Sequence, residues 1–319
     1  MSRHRYHNVD GLFLGKHFHE QSVREAFNYK PCPDDVFITT YPKCGTTWTQ
    51  HIVYHIFSNG VPPESEDELI AKTPFLEFMG NAAFENLPRP AAVKNHLPFH
   101  KMPYSKHAKY IYTARNPFDC CVAYYHHVKL FPMYDFEHGT FEELFQYFLD
   151  GKVDFGDYFD HLLSWYPHRN DPNVLFLTYE GLKKDTRAAI QKVADFLGED
   201  YGAQLRKDPG LMERIVEVTS FENMQRIMNP LMRGLADKYT SIPMESLPGW
   251  AQRSLETCGD VILKPVYGDF VRKGIIGDWK NHFNADQVKR MNDWIEKRTA
   301  GSDVMDLWKD VHGFWMNDE

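Results

Sequence analysis

The chain has 319 residues, enough to bury a full core as one large domain or two small ones, and its 43% hydrophobic, 15% aromatic and 25% charged composition excludes a disordered chain. A formal net charge of -8 disfavours nonspecific nucleic-acid binding, so a polyanionic ligand would need a local basic pocket. Cys32, Cys44, Cys120, Cys121 and Cys258 are odd in number, two are adjacent and none has metal-ligand spacing, which predicts reduced thiols and no metal site. Residues 1–10 are polar and basic without the apolar stretch of a signal peptide. No apolar run approaches the roughly 20 residues needed to span a bilayer, and no Asn-x-Ser/Thr sequon occurs. The expectation is a cytoplasmic protein with no membrane partner.

Residues 1–35 carry scattered aromatics (Tyr6, Phe13, Phe18, Phe27 and Tyr29) and read as an arm packed on the core, with Phe18 and His19 leading into a helix over 20–28. Val36 to Thr40 is β-branched and aromatic, the pattern of a buried strand. Pro42 and Gly45 break it. From Thr46 onward Trp48, Ile52, Val53, Ile56 and Phe57 recur at helical spacing. Lys43, Gly45, Thr46 and Thr47 thus stand at the mouth of a helix, where unpaired N–H groups and the positive dipole end favour an anion. The loop is not a Walker A motif, because Lys43 precedes Gly45 and no glycine lies at the required place upstream. The plain alternative is an ordinary polar turn. His51 and His55 stand at i, i+4, but no glutamate sits between them in zinc-protease order, so a solvated helix face is expected there.

Tyr41-Pro-Lys-Cys-Gly-Thr-Thr-Trp48 resembles the 5′-phosphosulfate loop of the cytosolic sulfotransferases, usually Tyr-Pro-Lys-Ser-Gly-Thr-Thr-Trp, with Cys44 in place of the serine. The resemblance implies that Lys43, Gly45, Thr46 and Thr47, with Cys44 among them, hold the 5′ side of PAPS (3′-phosphoadenosine-5′-phosphosulfate). It also implies that Trp48 flanks the adenine and that the desulfated product PAP is released.

An acidic, proline-bearing connection over 61–69 follows, then Thr73-Pro-Phe-Leu-Glu-Phe-Met. Phe75 and Phe78 are either simple core or, as in the family's Pro-Phe-Leu-Glu-Phe segment, acceptor lining. Residues 91–98 form a short strand on which Lys94 and His96 share one side and Asn95 faces the other. A cation that close disfavours the imidazolium and keeps His96 able to accept a proton. The segment resembles the family's Lys-Thr-His-Leu-Pro. The next strand ends at Arg115, at the sheet edge where open α/β folds bind ligands, and Asn116 and Pro117 start a helix through Phe131. In the family this arginine and a serine at the place of Ala123 hold the 3′-phosphate, so one donor is missing here.

Two amphipathic helices are predicted within 140–170, separated by a turn at Gly156 and Asp157. A strand over 173–179 ends at Tyr179, and a helix follows over 183–197. The resemblance places Tyr179 against adenine, and Thr219-Ser-Phe resembles the family segment whose phenylalanine, here Phe221, stacks opposite Trp48. Residues 230–267 are punctuated by proline and glycine and fit no pattern, so a mobile lid or acceptor loops are expected. Phe270-Val-Arg-Lys-Gly-Ile-Ile-Gly-Asp-Trp-Lys-Asn-His-Phe matches the family signature at every fixed position. It brings Phe270, Arg272 and Lys273 together with Gly274, which allows close backbone approach. The family's dimer motif would start at Lys280 but meets Asn284, Ala285 and Lys289, so that dimer is not expected and the oligomeric state is open.

The expectation is one sulfotransferase domain over residues 1–319, an α/β fold whose central parallel sheet is flanked by helices on the plan of P-loop kinases. His96, Lys43 and Lys94 would carry catalysis. Phe18, Phe75, Phe78 and His127 would join Lys94 and His96 around a small, largely apolar acceptor: a phenol, amine, steroid or other alcohol. Cys44, beside Lys43 and a helix start, would be the most reactive thiol. A nucleotide kinase on the same sheet plan would need a Walker A loop and Mg²⁺ ligands that the sequence lacks. A nucleotide- or hormone-binding protein without catalysis would not need both Lys94 and His96.

Overall fold

The computed structural model describes residues 5–84 and 87–311. The chain opens with a hairpin, β1 (Tyr6–Val9) and β2 (Leu12–Gly15), paired antiparallel. Its turn residues Asp10 and Gly11 have φ of 50° and 92°, the left-handed pair that tight hairpins use. In chain order there follow α1 (Glu20–Asn28), β3 (Asp35–Thr39), α2 (Thr46–Phe57), α3 (Glu66–Lys72), α4 (Leu76–Met79), β4 (Ala91–Asn95), β5 (Lys109–Ala114), α5 (Pro117–Leu130), α6 (Phe141–Leu149) and α7 (Tyr158–Trp165). The second half holds β6 (Val174–Thr178), α8 (Tyr179–Lys184), α9 (Thr186–Leu197), α10 (Glu199–Lys207), α11 (Pro209–Val218), α12 (Phe221–Thr240), α13 (Gly249–Cys258) and α14 (Ala285–Thr299).

Four strands form a parallel sheet in the order β4-β3-β5-β6, with Ile38 opposite Lys94 and Ile111, and Ile111 opposite Leu175. Alternation sends Phe37, Val93, Tyr110 and Tyr112 into one apolar layer and Val36, Ile38, Ala92 and Ile111 into the other. Both faces are buried, which is why the strands read as near-continuous apolar runs. The predicted α/β architecture is the one observed. Because all four strands run the same way, the residues just past them (Thr40, His96, Arg115 and Tyr179) meet at one edge.

Several elements differ from the sequence expectations. The 61–69 connection ends in α3, whose N-terminus is capped by Ser65 accepting from the Glu68 N–H. The unpatterned stretch 230–267 is mainly helix: α12 continues through Pro230 to Thr240, and α13 follows. Pro230 would normally end a helix, but Met224, Met228, Leu231 and Ala236 form a buried stripe along α12 whose packing holds it in place. His51 and His55 are 3% and 1% exposed, not solvated, because α2 lies between the sheet and α9 and α11 and has no free face there. Among the described residues no helix is long and apolar enough to cross a membrane.

Candidate active site

A cavity of about 670 Å³ opens over the carboxyl edge of the sheet. Every site residue expected from the sequence lines it except Cys44. The Cys44 side chain is fully buried, with its Sγ 3.7 Å from that of Cys120, and burial raises its pKa well above the usual thiol range. The expectation of a reactive thiolate is therefore wrong. The helix start and Lys43 favour a thiolate only for a sulfur turned toward them in a polar setting, and this one points into the apolar core.

The loop between β3 and α2 is shaped by Lys43 and Gly45, whose φ values are 71° and 91°. A lysine in the left-handed region is strained, and such strain persists where the surroundings fix it. Gly45 has no alternative: a Cβ there would stand 2.9 Å from Cδ2 of Tyr179. The Lys43 ammonium lies 4.7 Å from the Phe270 ring centre and 3.5 Å from Nδ1 of His127. Burial, then Lys94 and Arg115, pull Lys43 down to about 7. Lys94 lies over the Phe75 ring at 4.1 Å, and burial brings it down to about 8.

His96 follows β4 directly. Its Nδ1 is 2.9 Å from the Thr40 carbonyl oxygen, which can only accept, so Nδ1 carries the proton and Nε2 keeps a free lone pair. The Thr40 hydroxyl lies 3.2 Å from the same nitrogen and 2.6 Å from the Thr46 hydroxyl, tying the histidine to the start of α2. The His96 backbone N–H donates to Glu77, whose burial lifts its carboxyl to about 8. Burial first, then Lys94, hold His96 well below the usual histidine range. Asn95 turns away, as expected, and donates to the Thr39 hydroxyl at 2.8 Å.

At the other end, Asn116 accepts from the Asp119 N–H and caps α5 as anticipated, with Pro117 in the first turn. Asp119 accepts the N–H groups of Gly277 and Trp279 at 2.7 and 3.1 Å, which fastens the 270–279 loop over the sheet edge. Arg115 stacks over Tyr179 at 4.4 Å and donates to the Lys43 carbonyl at 3.2 Å, while its buried Nε has no partner among the described residues. Arg272 and Lys273 are both held by Asp278, at 2.5 and 2.8 Å, and these bonds keep its carboxyl well below the usual range against the cost of burial. Gly274 has φ +60°, and a Cβ there would meet Phe221 at 2.5 Å. Trp48 donates its indole N–H to the Thr219 carbonyl at 2.9 Å and packs edge-on to Tyr179. Ala123 lines the cavity. These parts suit an adenosine bisphosphate: aromatic slabs, four cations, an unpaired guanidinium N–H, and glycines where a Cβ would fill the cradle.

Sequence reasoning did not find Thr40, Glu77, His17, Tyr134, Asp154 or Phe155. Glu77 lay within a noted motif, but nothing in its spacing tied it to His96. Thr40 ends a predicted strand with no sign of its role, and His17, Tyr134, Asp154 and Phe155 come from the hairpin end and the loops around α6.

A family model described as the sulfotransferase domain matches residues 33–230 and 254–303. Sulfotransferase 1C2 of Oryctolagus cuniculus is 33% identical over 287 residues, 87% of each chain. The amine sulfotransferase of Oryctolagus cuniculus is 33% identical over 280 residues, 86% of this chain and 84% of that one. The crystal structure of mouse sulfotransferase SULT7A1 complexed with PAP matches with a TM-score of 0.68 and 27% identity, covering 94% of this chain and 95% of that one. With the loop, the sheet edge and these matches in agreement, the chain belongs to the PAPS-dependent cytosolic sulfotransferase family, and its donor is PAPS.

Proposed function

We propose that this sulfotransferase transfers the sulfuryl group to a hydroxyl, or an amine, of a small aromatic acceptor, with His96 as the general base. The observation that carries the reading is the Thr40 carbonyl at His96 Nδ1, which leaves Nε2 as a proton acceptor inside the cavity. PAPS supplies the activated sulfuryl group when bound. His96 Nε2 takes the acceptor's proton as the acceptor oxygen bonds to sulfur, and the bond from sulfur to the 5′-phosphate oxygen breaks. Lys43, at the mouth of α2, meets the charge that builds on the departing phosphate, with Thr46 and Thr47 beside it. Lys94 faces the sulfuryl oxygens. Arg115, Arg272 and Lys273 hold the 3′-phosphate, while Trp48, Tyr179 and Phe221 enclose the adenine, near Thr219 and Gly274. Phe18, Phe75 and Phe78 form the aromatic wall for the acceptor: Phe18 meets Phe75 at 5.6 Å, and Phe75 meets His96 edge-on at 5.3 Å. The chain's work is positioning and charge stabilisation.

His96→Ala tests the reading. Turnover at saturating PAPS and acceptor should fall by roughly 10²–10⁴-fold, while PAP binding by calorimetry stays intact. Near-normal turnover in the variant would mean that another group is the base.

A further inference from the structure

The cavity has two unlike walls. Around His96 stand Phe18, Phe75 and Phe155, with ring centres 5.2 to 5.6 Å apart. Beside them is a polar wall of His17, His127 and Tyr134, backed by Asp154. Lys43 donates to His127 Nδ1 at 3.5 Å, and His127 Nε2 lies 3.4 Å from the Tyr134 oxygen. The Tyr134 hydroxyl donates to Asp154 Oδ2 at 2.6 Å, and Asp154 Oδ1 accepts the Gly15 N–H at 2.5 Å.

Asp154 is 2% exposed, and no lysine or arginine pairs with it among the described residues. Among the described residues its one ion-pair contact is His17, with Nε2 at 3.9 Å, and burial drives that imidazole down to about 3. Burial lifts Asp154 only to about 6, because Tyr134 and Gly15 bond to it, so it is ionised at neutral pH. A buried carboxylate without a cation is costly, and a ligand cation alongside it recovers that cost. The ring nitrogens of His17 make no hydrogen bond among the described residues, so the one that carries no proton can accept from a ligand. His17 is also close to the reacting base: its ring is 4.4 Å from Phe18, Phe18 is 5.2 Å from Phe155, and Phe155 is 5.2 Å from His96. Phe18 and Phe155 thus bridge His17 to His96 along the cavity wall.

We propose that the wall of His17, Tyr134 and His127, with Asp154 behind it, is a subsite for a protonated amine, so that the acceptors are hydroxylated aromatic amines. The inference rests on the sulfotransfer reading above for the role of His96 and adds the chemistry of the far end of the acceptor. The ring lies among Phe18, Phe75 and Phe155, the hydroxyl reaches His96, and the ammonium donates to His17 and Tyr134 in the field of Asp154. An acceptor with a carboxylate at the same place is repelled.

Three ligands of matched shape test this: tyramine, para-ethylphenol and para-hydroxyphenylpropionate, each titrated calorimetrically into the PAP complex. Wild-type protein should bind tyramine about tenfold more tightly than para-ethylphenol, and the carboxylate ligand weakest. In Asp154→Asn the ratio of tyramine to para-ethylphenol affinity should fall to within about threefold of unity. A ratio is insensitive to any loss of folded protein, and the wild-type ranking needs no variant. A flat ranking, a carboxylate ligand bound as well as the amine, or a preference that Asp154→Asn leaves unchanged overturns the subsite. Turnover is read separately: ranked binding without sulfation would sink the sulfotransfer reading and leave the subsite standing, and sulfation with a flat ranking would do the reverse.

Discussion

Binding of PAP at pH 8 should draw protons from solution, and most of them should go to Lys43. In the free protein that ammonium is pulled down to about 7 by burial and by its cationic neighbours Lys94 and Arg115. A group with that pKa is about nine-tenths neutral at pH 8 and about one-tenth neutral at pH 6. A phosphate placed against it favours the charged form and raises its pKa, so the complex holds more protons than the separate partners. The expected uptake at pH 8 is about 0.9 proton per PAP from Lys43. Lys94, brought down to about 8, adds up to about half a proton if the ligand's charge reaches it. The phosphate's own second ionisation, near pH 6, is complete at pH 8 and does not mask the effect. The sign follows: affinity is greatest below pH 7 as far as Lys43 is concerned and declines as pH rises through 7, approaching about tenfold per pH unit until the pKa of the complex is reached. Calorimetry at pH 8 in buffers of different ionisation enthalpy gives the proton count as a slope. Lys43→Met should remove the larger share. Zero uptake in the wild-type protein, or the same uptake in Lys43→Met, would show that Lys43 is not the group that meets the phosphate.

Ala123→Ser should add a hydroxyl to the cavity wall and tighten PAP roughly three- to tenfold, but not an analogue lacking the 3′-phosphate. Equal changes for both ligands would place residue 123 away from that phosphate. Among the thiols, Cys32, which is partly exposed, should be alkylated first in the native protein, while the fully buried Cys44, Cys120 and Cys121 stay unmodified. Mass spectrometry that finds Cys44 modified ahead of Cys32 would contradict the packing described for the loop.

The donor half of the site was legible because its chemistry is local. Strand, loop and helix start lie within residues 36–57, and the 270–283 run is similarly contiguous, so residue type and spacing point directly to a phosphate cradle. Lys94 and His96 followed from strand periodicity together with the resemblance to the family's Lys-Thr-His-Leu-Pro segment. The acceptor half was legible only in part: Phe18, Phe75, Phe78 and His127 were expected there, but no short stretch contains the rest. His17 comes from the end of a hairpin that the aromatic pattern did not reveal, Tyr134 and Asp154 from connections on either side of α6. Only the fold brings them together. Pro230 misled the reading of α12, since a proline ends a helix only when packing does not outweigh the lost bond. Cys44 misled for a related reason: its place in the chain is beside a cation and a helix dipole, but its side chain points the other way.

Asp278 gives the nucleotide site its own internal anion. Arg272 and Lys273 are already engaged by it at 2.5 and 2.8 Å, so an arriving phosphate does not meet two bare charges. It enters by exchange, and its gain is the difference between two ion pairs rather than the whole of one. A weak or diffuse anion gains little from such a trade. A dianionic phosphate, with three oxygens to share between the guanidinium and the ammonium, gains more. The carboxylate thereby acts as a threshold that admits concentrated charge, and it keeps the two side chains extended toward the site in the intervals between ligands.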